Sequence, residues 1–169
     1  MVQTIELEAA LTPPAIAAVK ALFLEYARSL NFDFCFQRFD DELATFPTMY
    51  APPGGALILA RVDGEAAGAV GLRPLGDSGD RACEMKRLYV RPSFRGLGLG
   101  RALAQAIIAR GSDLGYRQMK LDTLASMQAA HVLYEALGFV PCAPYYDNPV
   151  PGARYLERAL VPFVPGHAT

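Results

Sequence analysis

The chain has 169 residues, is 52% hydrophobic and 20% charged, and carries a formal net charge of −1. This balance suits one α/β domain with a substantial core over residues 1–169. It excludes a strongly basic nucleic-acid binder, and no apolar run is long enough to span a bilayer. Glu6 and Glu8 interrupt any charged-then-apolar signal pattern, so the expectation is a cytoplasmic protein with no membrane and no nucleic-acid partner. Three cysteines, Cys35, Cys83 and Cys142, make an odd set without metal-ligand spacing. They read as reduced, buried thiols, and no metal is expected.

Ile5 and Leu7 alternate with Glu6 and Glu8, the pattern of a half-buried first strand. Thr12 is a helix N-cap with Pro13 at the first helical position. Ile16, Val19, Phe23, Tyr26, Ala27 and Leu30 then recur at helical spacing. Asn31 to Arg38 reads as an aromatic loop carrying Phe32, Phe34 and Phe36. Asp40 to Phe46 reads as a short second helix, and Pro47 to Gly55 as a Pro/Gly loop. Ala56–Val62 and Ala66–Leu72 are strands joined at Asp63-Gly64, a strong hairpin signal.

Arg73 to Asp80 is a polar turn region, and Arg81 to Val90 a central strand whose alternation slips. Cys83 and Met85 face one side; by simple alternation Leu88 and Val90 face the other. A one-residue bulge near Lys86–Arg87 brings both pairs to one face; burial of both faces without a bulge explains the pattern equally well. A helix follows from about Gly98 to Gly115, then a strand over Gln118–Leu124. Met127–Leu137 is a helix stopped by Gly138. A short strand Phe139–Cys142, a loop Pro144–Gly152 and a last strand Arg154–Leu160 complete the core, which runs from about residue 5 to 160. The tail from Pro162 is expected to be loose.

The segment Arg95-Gly96-Leu97-Gly98-Leu99-Gly100-Arg101 joins the central strand to the helix. A helix start offers unpaired N–H groups and the positive end of the macrodipole. Glycines there let an anion approach the backbone, and Arg95 and Arg101 add charge, so a phosphate or pyrophosphate is the simplest ligand. A plain tight turn is the competing account. The string lacks the Lys-Ser/Thr of a nucleotide-hydrolase phosphate loop. Its third glycine falls one place early for a dinucleotide turn.

The string does fit Arg/Gln-x-x-Gly-x-Gly, and here the chain resembles the GCN5-related N-acetyltransferases (GNAT). Two further segments agree in order and spacing. Met85 to Pro92 is similar to the family's central strand, and Leu133-Tyr134-Glu135-Ala136-Leu137-Gly138-Phe139 to its closing Leu-Tyr-Glu-x-Leu-Gly-Phe segment. The resemblance covers roughly Ile5 to Leu160. It implies the acetyltransferase fold, a mixed, mostly antiparallel sheet of six to seven strands with helices on both faces. It implies acetyl-CoA as cosubstrate, its pyrophosphate on Arg95, Gly96, Gly98, Gly100 and Arg101. The pantetheine arm would lie along the backbone of Leu88, Tyr89 and Val90. Where the family often has Asn, this chain has Met127, which removes a side-chain amide contact with that arm.

The implied activity is acetyl transfer to a primary amine of a small molecule or peptide, by direct attack in a ternary complex. A non-catalytic acyl-CoA-binding or sensing module with the same fold is the alternative. The resemblance points to Tyr134 as proton donor to the leaving thiolate; a neutral phenol is competent for this. A core tyrosine with a satisfied hydroxyl is the competing account. The oxyanion falls to a backbone N–H near Leu88, freed by the bulge. Glu84, on a strand otherwise set up for burial, is a candidate base; an ion pair with Lys86 or Arg87 is the equal alternative. His131 falls on the polar face of its helix. Phe32, Phe34, Tyr145 and Tyr146 are candidate substrate-binding residues, with core plugs under loops the competing account. The acceptor, the acyl length and the oligomeric state, a homodimer included, stay open.

Overall fold

The computed structural model describes residues 2–30, 33–76, 81–148 and 150–161, with the side chains of 33–38 outside that description. In chain order the elements are β1 (Ile5–Ala9), α1 (Pro13–Ser29), α2 (Asp33–Ala44), β2 (Ala56–Val62), β3 (Glu65–Leu75), β4 (Ala82–Val90), α3 (Leu99–Asp113), β5 (Gln118–Leu124), α4 (Gln128–Ala136), β6 (Val140–Pro141) and β7 (Ala153–Ala159). The strands form one seven-stranded sheet in the order β1-β2-β3-β4-β5-β7-β6. Neighbouring strands are antiparallel except β4 and β5, which run parallel. Only that parallel pair needs a long crossover, and α3 supplies it.

Helices cover both faces of the sheet. On one face α1 buries Val19, Leu22 and Phe23 against Leu57, Leu59, Ala69 and Tyr89. All three helix side chains are 0% exposed, and each such burial stabilises by roughly 1.5–3 kcal/mol. Thr12 caps α1 as its sequence predicts, its hydroxyl accepting from the Ala15 N–H at 3.4 Å. On the other face α3 and α4 pack Leu103, Ile107 and Tyr134 against Val70, Leu72, Cys83, Met85, Met119 and Leu121.

Several boundaries differ from the sequence reading. The expected aromatic loop over 31–38 is helical from Asp33 onward, because α2 starts about two turns earlier than its acidic pair Asp40-Asp41 suggests. Phe39 is buried under α1 and Glu42 is buried beside it, and this packing stabilises the helix more than local spacing does. Every residue of β1 is exposed, against the half-buried expectation: it is an edge strand, and the α1 core lies over β2 to β4. β3 runs on to Leu75 through the expected turn region, and Met127 is the N-cap of α4 rather than its first residue. Cys83 is buried as expected, whereas Cys142 is only half-buried. Cys35 and the tail from Pro162 lie outside the described residues.

The slip in the central strand is a bulge. Gly71 pairs with Lys86 and Ala69 with Tyr89, so two steps along β3 match three along β4. Arg87 takes the extra position with φ +60°. The outcome is the one the apolar pattern requires. Cys83 and Met85 belong to the α3-side core, Leu88 and Val90 pack against that same core, and Tyr89 turns to the α1 side. A non-glycine residue in the left-handed region costs of order 1–3 kcal/mol and persists only where its surroundings hold it. Arg87 is held by an ion pair to Glu42 at 2.9 Å and by the Phe39 ring, 4.8 Å from its guanidinium.

Candidate active site

β4 and β5 run side by side only from Ala82–Glu84 against Gln118–Lys120. Beyond Glu84 they part, and a cavity of about 630 Å³ opens between them. Met85 to Leu88 form one wall and Leu121 to Leu124 the other. Tyr134, Ala130 and Met127 close it from the α4 side, and Tyr26, Leu30, Glu42 and Thr45 from the α1–α2 side. Tyr146, Asn148 and Val150 of the loop before β7 complete the lining. Side chains from both faces of the sheet thus meet in one space, because the sheet itself is split there.

Tyr134 reaches this space from α4. It is 8% exposed, and its ring meets Phe139 edge-on at 5.8 Å. Burial, reinforced by Tyr26 and Asp122, pushes its phenol above the ordinary value of 10. The hydroxyl therefore keeps its proton at neutral pH. Met127 also lines the cavity, and its sulfur accepts from the Thr123 hydroxyl at 3.7 Å.

The glycine turn lies at the N-terminus of α3. Gly96 has φ +85° and Gly98, the N-cap, has φ +77°. A Cβ placed on either would meet nothing within 4 Å. Gly100 is in the helix, and a Cβ there would meet only Leu133 Cδ2, at 3.9 Å. The protein's own packing therefore gives no reason for glycine at Gly100, and the space over the first helical turn is open. Arg95 and Arg101 are exposed on either side of it, Arg95 Nε donating to the Val90 carbonyl at 3.4 Å. These residues fit a pyrophosphate: bare backbone, free helix N–H groups and two flanking cations.

Along β4, Leu88 faces the cavity. Tyr89 packs on Tyr26 at 5.7 Å between ring centroids, and Val90 is half-buried. Past Glu84 this strand has no β5 partner, so its backbone edge toward β5 is left without a ladder.

Glu84 is 0% exposed and is not part of the cavity wall. Its Oε1 takes Arg73 Nε at 2.6 Å and Lys86 Nζ at 3.6 Å, and its Oε2 accepts from the Tyr145 hydroxyl at 2.5 Å. Tyr145 thus points to the sheet rather than the cavity, while Tyr146 lines the cavity and donates to Asp122 Oδ2 at 2.5 Å. The rings of Tyr145, Tyr146 and Tyr155 stack mutually at 5.3 to 5.7 Å, docking the loop onto the sheet. Phe32 and the Phe34 side chain lie outside the described residues. His131 is half-buried, its Nε2 3.0 Å from the Leu124 carbonyl, not on a solvated face as expected.

Sequence reasoning missed Arg73, Glu42 and Asp122. Asp122 sits in plain alternation with Leu121 and Thr123, the pattern of a solvent-facing strand position; nothing local shows that helices and a loop cover that face.

A sequence model described as "Acetyltransferase (GNAT) family" matches residues 18–139. The chain belongs to the GNAT family. An uncharacterized N-acetyltransferase of Schizosaccharomyces pombe is 43% identical over 92% of this chain and 95% of its own length. An uncharacterized N-acetyltransferase of Escherichia coli is 34% identical over 75% of each chain. A Salmonella typhimurium acetyltransferase solved with acetyl-CoA shares the fold with a TM-score of 0.69, at 18% identity over 94% of each chain. The GNAT assignment makes this protein an N-acetyltransferase by family. No helix among the described residues is long and apolar enough to cross a membrane.

Proposed function

We propose that this GNAT acetyltransferase moves the acetyl group of acetyl-CoA to a primary amine of a small molecule or peptide, by direct attack within a ternary complex. The observation that carries this reading is the cavity that opens through the sheet at the β4–β5 split. It joins an apolar side, bordered by Leu88, Ala130 and Tyr134, to a polar side bordered by Lys86, Asp122 and Asn148. Two substrates entering from opposite faces meet there without a covalent enzyme intermediate.

In this reading the coenzyme's pyrophosphate lies on the Arg95–Arg101 turn, and its pantetheine arm runs along the unladdered edge of Leu88, Tyr89 and Val90. Backbone N–H at this edge has no β5 ladder partner, and such a donor stabilises the oxyanion formed when the amine attacks the thioester carbonyl. As the tetrahedral adduct collapses, the C–S bond breaks and the thiolate takes the Tyr134 proton. Burial keeps that proton on the phenol in the free enzyme, so the hydroxyl is available as a donor when negative charge develops on the departing sulfur beside it.

The proposed base role of Glu84 has little geometric support. Both carboxylate oxygens are already engaged, and the side chain is sealed from the cavity. Glu84 instead orients Arg73 and Lys86, and solvent entering the polar side of the cavity carries away the ammonium proton. The test is coenzyme A release from acetyl-CoA, followed with a thiol reagent across a panel of amines. Release with one acceptor class, together with the acetylated product by mass spectrometry, is the expected result. Acetyl-CoA binding with no product from any amine would reduce the site to a binding module.

A further inference from the structure

The polar side of the cavity is unbalanced in two opposite senses. On β3 and β4 three cations, Arg73, Lys86 and Arg87, meet two carboxylates, Glu84 and Glu42. Glu84 Oε1 lies 2.6 Å from Arg73 but 3.6 Å from Lys86, so Lys86 has only the long share of a divided contact. Arg87 is fixed by Glu42 at 2.9 Å, and its buried Nε has no hydrogen-bond partner among the described residues. Across the gap on β5, Asp122 Oδ2 accepts from two neutral donors, the Tyr146 hydroxyl at 2.5 Å and the Asn148 side-chain amide at 2.9 Å. No salt bridge among the described residues reaches Asp122. Asp41 also borders the cavity but is exposed, where water screens it.

Positive charge is thus left over at Lys86 and negative charge at Asp122, on facing strands of one cavity. Resting on the acetyltransferase reading, we infer that the acceptor is a free amino acid, its amine held at Asp122 and its carboxylate at Lys86. A peptide N-terminus or a simple alkylamine satisfies Asp122 but leaves the Lys86 charge unanswered. A free amino acid answers both, and its amine then lies near Tyr134, which Asp122 is close enough to influence electrostatically.

The experiment compares matched acceptors with the purified enzyme and acetyl-CoA: free amino acids, their carboxamides, and the amines left when the carboxyl is removed. A charge-assisted hydrogen bond lost from a partly buried site lowers kcat/KM by about 10- to 150-fold, so free amino acids should lead their carboxamides by that factor. Lys86→Met should bring the ratio close to one while leaving the acetyl-CoA KM unchanged. Asp122→Asn should raise the acceptor KM for all three series together. Carboxamides or decarboxylated amines turned over as well as free amino acids would overturn the inference and leave the acetyltransferase reading standing. Lys86→Met lowering all series equally would overturn it too. No coenzyme A release with any amine would remove both. The wild-type ratio decides the matter even if a variant fails to fold.

Discussion

At the residue scale, Tyr134 and Gly100 make the sharpest claims. Tyr134→Phe removes one oxygen from a buried ring that keeps its contact with Phe139, so the fold survives. The loss falls on proton donation, and kcat should drop roughly 10²–10⁴-fold with little change in the acetyl-CoA KM. Steady-state kinetics on an identified acceptor checks this; an unchanged kcat returns Tyr134 to the core. Gly100 separates ligand from fold. With a normal helical φ and only Leu133 Cδ2 near a new Cβ, it tolerates a side chain structurally. Gly100→Val should leave the melting temperature unchanged within a few degrees, since glycine is itself the poorer helix former. It should weaken coenzyme A binding at least about tenfold by calorimetry, because in the proposed placement the added methyl groups would stand where the phosphates meet the helix N-terminus. Gly98 is a less clean test, because its φ of +77° adds backbone strain to any substitution.

At the element scale, two ion pairs tie the strands to their coverings. Glu84 links β3, β4 and the loop before β7 through Arg73, Lys86 and Tyr145. Glu84→Gln keeps its shape but leaves Arg73 without its counter-charge. It should destabilise the protein by about 1–3 kcal/mol, measured by urea unfolding, while kcat of the folded fraction stays within a few-fold. A stable variant with a collapsed kcat would restore Glu84 as the base. Glu25 of α1 meets Arg91, just past β4, at 2.7 Å, and the hydrogen bond from Arg91 holds its carboxyl below the ordinary value of 4.5. A lowered folded-state pKa adds stability above the unfolded value, and that stability fades as pH falls through the folded one. Side chains 27% and 37% exposed are screened by water, so the contribution is under about 1 kcal/mol. Unfolding of Glu25→Gln and the wild type should differ by that much at pH 7 and converge as pH drops below 4.5.

At the scale of the whole molecule, the cavity divides the sheet where β4 and β5 part, and a ligand that binds only the folded chain stabilises it. Acetyl-CoA at 100 times its Kd should stabilise the fold by about 2.7 kcal/mol, raising the melting temperature by roughly 5–10 °C for a chain of this size. A thermal scan with and without acetyl-CoA reads this directly; no shift would place the coenzyme elsewhere. The sequence by itself determined the hairpin at Asp63-Gly64, the Thr12 cap and the glycine turn, and it offered the bulge near Arg87 as one of two equal accounts that the strand register then decided. Each is set by a few adjacent residues whose conformational preferences act locally: positive φ, a capping oxygen, an alternation that slips. Tertiary structure alone decided that α2 starts at Asp33, that β1 is exposed, that Glu84 is sealed behind Arg73, and that Asp122 and Lys86 line one cavity. Those outcomes depend on which surfaces cover which, through contacts between residues far apart in the chain. Asp122 and Tyr146, 24 positions apart, acquire their shared role only once the sheet has split and the loop has closed over it.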